Sequence, residues 1–150
     1  MTFEEELIDL LHEEEGIVNE VYLDHLGKKT GGCGHLLLPT DGPLFDAEVG
    51  TPIDPELVEE WFQKDVDTCI KDAHWLHKDF DDLPRQAKVV IASMCFQMGV
   101  SSCSNFKKFH AAVSNRDWET ARIEMLDSKW AKKDTPARAN RMADRISEID

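Results

Sequence analysis

A chain of 150 residues is long enough to enclose a hydrophobic core and falls in the size range of one domain, divided at most into lobes. With 41% hydrophobic and 31% charged residues and only 8 Gly and 6 Pro, it is neither disordered nor fibrous, and no run approaches the 18 apolar residues of a membrane span. The formal net charge of -13 excludes general nucleic-acid binding, which needs a basic face.

The first eleven residues carry four acids and no base, the reverse of a secretory signal's charged start, so no export signal of that kind is expected. Thr2 and Glu5 are spaced as a capping box, and Phe3, Leu7, Leu10 and Leu11 form one apolar stripe, which predicts a first helix ended by Gly16. Val21-Tyr22-Leu23 is strand-like, Gly27 marks a turn, and Lys28 to His35 reads as irregular β structure, together a hairpin or three-stranded sheet. The stretch from Pro39 to Pro52 is loop, anchored by Leu44, Phe45 and Val49.

Asp54-Pro55 opens a second helix, long enough to bridge two lobes, with Val58, Trp61, Phe62, Val66, Cys69, Ile70 and Ala73 inward. From Pro84 to Met98 the chain is apolar almost all round, which predicts a central core helix stopped at Gly99. Three shorter helices follow, over Phe106 to Val113, after a cap at Asp117, and after Thr135-Pro136. The fold class is α+β, with a small β lobe over 15–53 and a helical lobe made of 54–150 together with the N-terminal helix 2–14.

The four cysteines, Cys33, Cys69, Cys95 and Cys103, match no C-x-x-C framework, so free buried thiols are expected. His12 lacks the second histidine of H-E-x-x-H, and His74-x-x-His77 is a pair without obvious partners, so no metal and no cofactor is expected. Lys129, Lys132, Lys133, Arg138, Arg141 and Arg145 crowd the C-terminal stretch, forming either a local basic rim on an acidic body or a solvated helix face.

Glu13-Glu14-Glu15 closes the first helix at its negative dipole end, an unfavourable place for acids. Like charges and the helix terminus both favour the protonated carboxyl, as a general acid requires. Asp24 follows at the end of the next strand, and two carboxylates facing a sugar are the minimum apparatus of glycoside hydrolysis. Asp65 lies on the apolar face of the second helix, where an unpaired ion is costly.

Glu15-Gly16, Val21-Tyr22-Leu23-Asp24, Gly27 and Thr30-Gly31-Gly32-Cys33-Gly34-His35-Leu36-Leu37 resemble the active-site signature of the phage-type lysozymes, glycoside hydrolase family 24. That signature sets a Glu, eight residues, an Asp, five residues and a Thr that begins T-x-G-x-G-H, and both spacings hold here. The likeness extends to Phe62-Gln63-Lys64-Asp65-Val66-Asp67, Phe96-Gln97-Met98-Gly99, and Trp130 through Arg138.

The resemblance implies a lysozyme-like fold, a small β-sheet lobe and a larger helical lobe joined by a long helix with a cleft between them. It implies a muramidase that cuts the bond between N-acetylmuramic acid and N-acetylglucosamine in peptidoglycan. Glu15 is then the general acid, Asp24 with Thr30 positions or activates the water, and Leu36, Phe96 and Gln97 line the sugar cleft. Arg138 matches an arginine that pairs with the catalytic Glu, and His35 matches a structural partner of Asp65. Against the pattern, the segment from His35 to Phe62 and the C-terminal tail are short, and Phe109 and Glu124 replace small polar sugar contacts. The partner expected is bacterial peptidoglycan, with no nucleic acid and no membrane insertion, for a monomer held in the host cytoplasm before release. The alternatives are a non-hydrolytic peptidoglycan-binding or virion-structural module on the same fold, and a lytic transglycosylase, against which Asp24 and Thr30 speak.

Overall fold

The computed structural model describes all 150 residues, which form two compact units, Asp9–Asp67 and Met1–Ile8 with Thr68–Asp150. The division falls inside the first helix, α1 (Phe3–Glu15), and inside the long helix α2 (Pro55–Leu76). In α1 the Glu5 amide donates to Thr2 Oγ1 at 3.2 Å, the N-cap bond expected of that pair. Gly16 takes φ +67° directly after Glu15, a left-handed conformation that stops the helix.

In the first of these units, strands β1 (Val18–Leu23), β2 (Lys29–Gly32) and β3 (His35–Leu36) form an antiparallel sheet in that order. Its apolar side rests on a cluster of Val21, Leu37, Ile53, Val58 and Trp61, all at most 9% exposed. Each such burial contributes on the order of 2 kcal/mol, so the cluster outweighs any single hydrogen bond of the sheet. Gly31 lets the strand lie close on this cluster, since a Cβ there would lie 2.5 Å from Ile53 Cδ1 and the isoleucine would have to shift. The Pro39–Asp46 stretch is a 3₁₀ segment broken at Gly42, not plain loop. Of its expected anchors Leu44 packs against the cluster, whereas Phe45 and Val49 stand 39% and 56% exposed. Three apolar residues in a turn-rich run carry no periodicity to say which points inward.

The other unit is helical: α3 (Arg85–Ser104), α4 (Lys107–Ser114), α5 (Trp118–Leu126) and α6 (Pro136–Ser147), with a π-helical turn at Trp130–Asp134. Val89, Val90, Ile91, Ala92 and Met94 of α3 are completely buried, as their unbroken apolar run requires. Gly99 breaks the helix at φ 81° and ψ 160°, the expected stop, but helical turns resume beyond it to Ser104. Asp117 caps α5 by accepting from the Thr120 amide at 3.2 Å. Thr135 precedes α6 without a side-chain capping bond, because its hydroxyl accepts from Gln97 Nε2 instead.

The pair read as His74 and His77 is split. His74 meets Asp81 and the Ile70 carbonyl, while His77, 3% exposed, reaches His110, Nε2 to Nδ1 at 2.8 Å. Burial, with the neighbouring His110, pushes the His77 pKa down to about 4.

Candidate active site

Glu15 occupies the last turn of α1 and is half-buried. The left-handed Gly16 sends the chain straight into β1, so the segment that begins at this carboxyl ends at Asp24. Between them Tyr22 pairs with Thr30, and Thr30 pairs with Leu36. Residues opposed across adjacent strands share a face, so Tyr22, Thr30 and Leu36 line one side of the sheet. Leu36 is 42% exposed there, an apolar surface open to a ligand.

Tyr22 is the one tyrosine in the chain and it links the two acids. Its phenol is shifted upward by burial, against a hydrogen bond from the Gly34 backbone, and further upward by Cys33, Asp24 and Glu15. Both carboxylates therefore lie within electrostatic reach of one hydroxyl. The sequence reading passed over Tyr22, although the strand's period of two puts it on the Thr30 face.

Asp24 is fixed by the turn it starts. Its Oδ1 accepts from the Leu26 amide at 2.8 Å and the Lys28 amide at 2.9 Å, and its own amide donates to the Lys28 carbonyl at 2.9 Å. The Lys28 amide, then that of Leu26 and the charges of His25 and Lys28, hold this carboxyl below the usual carboxylate range. Asp24 is thus kept ionised.

Thr30, only 3% exposed, donates its hydroxyl to the same Lys28 carbonyl at 3.0 Å. The main chain of one residue, Lys28, consequently holds both groups, its N–H on Asp24 and its C=O on Thr30. A hydroxyl whose hydrogen is committed in this way offers only lone pairs to anything else. With Asp24 Oδ1 holding two amides, Oδ2 is the oxygen left to take a proton.

His35 stacks on Trp61, ring centroids 3.9 Å apart and 10° from parallel, and its Nε2 meets Asp41 Oδ2 at 3.1 Å. Asp41 also accepts from the Leu38 amide at 2.7 Å, so the hydrogen-bond partner of His35 is Asp41, where the resemblance had implied Asp65. Asp65 feels His35 only through space: burial raises its pKa and His35 lowers it. Asp41 was not foreseen because it lies in the segment whose length departs from the pattern.

Phe96, Gln97 and Arg138 belong to the helical unit. Gln97 Oε1 accepts from Trp130 Nε1 at 3.1 Å and its Nε2 donates to Thr135 at 3.1 Å, which fixes the amide's orientation. Phe96 is half-buried beside it in sequence. Arg138 is 7% exposed and reaches Ser93 Oγ at 3.5 Å. In the same unit Phe106, Phe109, Glu124, Asp127, Lys129 and Trp130 help line a cavity of about 630 Å³, so both replaced positions face one concave surface.

The sequence pattern of the Phage lysozyme family matches residues 12–145. Similar proteins include Probable T4-type lysozyme 2 of Dictyostelium discoideum, 31% identical over 91% of this chain and 90% of its own length. Peptidoglycan hydrolase gp36 of Pseudomonas phage phiKMV is 28% identical over 89% of this chain but only 14% of its own length. Pre-baseplate central spike protein Gp5 of Enterobacteria phage T4 is 26% identical over 91% of this chain and 26% of its own length.

Proposed function

This chain belongs to the phage lysozyme family, and on that premise we propose that it is a peptidoglycan hydrolase which cuts the β-1,4 bond between N-acetylmuramic acid and N-acetylglucosamine. Glu15 donates a proton to the glycosidic oxygen as the carbon–oxygen bond breaks. Asp24 Oδ2 and Thr30 Oγ1 hold the attacking water, which gives one proton to Asp24 as its oxygen bonds to the anomeric carbon. Leu36, which shares the Thr30 face of the sheet, contacts the sugar. Attack from the face opposite the leaving group makes this a single inverting displacement.

The observation that supports the reading is the shared Lys28 main chain, whose N–H holds a carboxylate kept ionised and whose C=O takes the hydrogen of a hydroxyl. Water is an ordinary ligand for such a pair, whereas a transglycosylase has no use for one. The test is turbidity clearing of purified walls with release of new reducing ends by wild type, Glu15→Gln and Asp24→Asn. Both variants should fall at least about 10²-fold, the scale of general acid–base catalysis. Equal clearing by wild type and Glu15→Gln would overturn the assignment of the acid. Product masses without added water would show transglycosylation instead.

A further inference from the structure

The cavity of the helical unit has a fixed apolar lining and a charged rim, and only part of that rim is paired. Trp130 donates its Nε1 hydrogen to Gln97 Oε1 at 3.1 Å, and the Gln97 amide is held in turn by Thr135. With its one polar atom engaged, Trp130 offers the cavity carbon surface alone. Phe106 stands edge-on to it, ring centroids 5.9 Å apart and 84° from parallel, and half-buried Met98 adds to the apolar lining. The volume, about 630 Å³, is that of a site for a small ligand.

Acids and lysines line the rim in equal number, yet they are not matched one to one. Asp127 Oδ1 accepts from Lys132 Nζ at 2.6 Å, and Asp134 lies 3.9 Å from Lys129. Glu124 is different. It is half-buried on α5, and no cation or hydrogen-bond donor of the chain meets its carboxylate. Lys107 and Lys108, at the start of α4, likewise form no ion pair. A carboxylate partly withdrawn from water beside aromatic carbon favours a cation brought from outside, and the aromatic faces themselves attract one. The two lysines favour carboxylates. A complementary ligand is therefore short and zwitterionic, with an aliphatic stretch between its charges.

We propose that Glu124 makes this cavity selective for wall peptides whose diamino acid keeps a free side-chain ammonium. The inference rests on peptidoglycan being the substrate, since its strands carry short peptides with free carboxylates and a diamino acid on an aliphatic stem. The ammonium pairs with Glu124, the stem lies along Phe106 and Trp130, and the carboxylates take Lys107 and Lys108. Cross-linking converts the same amine to an amide. The charge is then lost and the Glu124 carboxylate is left without a partner, which costs more than the pair contributes. The cavity consequently favours peptides that are not cross-linked. Glu124 is a specificity residue in this scheme and takes no part in breaking the glycosidic bond.

The test uses peptides without glycan, so that nothing is cut. The full chain is titrated in a calorimeter at pH 7 and about 0.05 M salt with N-acetyl-Ala-γ-D-Glu-Lys-D-Ala, and with the same peptide acetylated on the lysine side chain. The free amine should bind about tenfold more tightly, the scale of one charge-assisted hydrogen bond. In Glu124→Gln the two peptides should come within about twofold of each other, with the acetylated one held as in wild type. Salt at about 0.5 M should shrink the wild-type preference. Equal affinity of wild type for the two peptides, no binding of either, or a preference that persists in Glu124→Gln overturns the proposal. Wall clearing by the same preparation reads the hydrolase assignment separately. Clearing without peptide discrimination removes this inference alone, and discrimination without clearing removes the hydrolase reading alone.

Discussion

His77→Gln separates a single buried proton-binding site from the rest of the acid response. The histidine is 3% exposed, its Nε2 is bonded to His110 Nδ1, and burial holds its pKa at about 4 in the folded chain against 6.5 when free. A folded pKa below the unfolded one means that the unfolded chain takes up the proton first. Stability is therefore complete above pH 6.5 and falls as pH drops towards 4. Using about 1.4 kcal/mol per tenfold change, the loss is roughly 2 kcal/mol at pH 5 and about 3 kcal/mol at pH 4. For a chain of this size that corresponds to roughly 4 to 8 °C in Tm at pH 5. Glutamine keeps an N–H for His110 and removes the titrating ring, so its unfolding free energy in urea should be flatter with pH by these amounts. Protonation of carboxylates affects both proteins alike and cancels in the difference. Parallel curves for wild type and variant between pH 7 and 4 would refute the reasoning.

The other predictions concern the sheet and its turn. Asp24→Asn retains an Oδ1 for the Leu26 and Lys28 amides, so it should lose clearing activity with its Tm nearly unchanged, whereas Asp24→Ala should lose both; calorimetry beside a clearing assay distinguishes them. Thr30→Val fills the same volume but cannot accept from water, and activity should fall at least about 10²-fold with stability changed by about 1 kcal/mol. Thr30→Ser should recover much of that activity. Gly31→Ala forces a Cβ onto Ile53 and should cost about 1 to 3 kcal/mol in urea unfolding, relieved in the double variant with Ile53→Val. At a net charge of -13 the protein should clear anionic walls faster as salt rises from about 0.01 to 0.1 M, where screening shortens to about 10 Å. A flat salt profile removes the electrostatic argument.

The regular elements were legible in the sequence where periodicity and punctuation agreed. The stripe of Leu7, Leu10 and Leu11, the apolar run from Val89 to Met94, and the stops at Gly16 and Gly99 each name a surface or a backbone state directly. The spacing of Glu15, Asp24 and Thr30 marked the candidate site before any geometry. Illegible features depend on partners distant in sequence. His77 meets His110, and Gln97 is fixed between Trp130 and Thr135. The C-terminal bases show the same limit. Read as a rim or a solvated face, they are in large part matched within the unit: Lys132 to Asp127, Lys129 to Asp134, and Arg145 to Glu6, with Arg138 buried near Ser93. A cluster of positive charge along a sequence says nothing about the acids that folding brings beside it.

The Lys28 main chain explains why spacing, more than composition, carries the candidate site's information. Asp24 and Thr30 are both bonded to the main chain of a residue four positions beyond one and two before the other. A backbone N–H and C=O are the same whatever side chain stands at 28, so that position is free to vary while the intervals are not. One residue inserted between Asp24 and Thr30 would leave both acceptor groups in the chain yet separate them from their common strut. It would also turn Thr30 to the opposite face of β2, because a strand's side chains alternate. The same period governs Tyr22 and Leu36, which share the Thr30 face only in the observed register. On the opposite face Gly31 lies against Ile53, where a Cβ would meet its Cδ1 at 2.5 Å. The site is thus specified by distances along the chain, and its turn converts those distances into the orientation of two oxygen atoms.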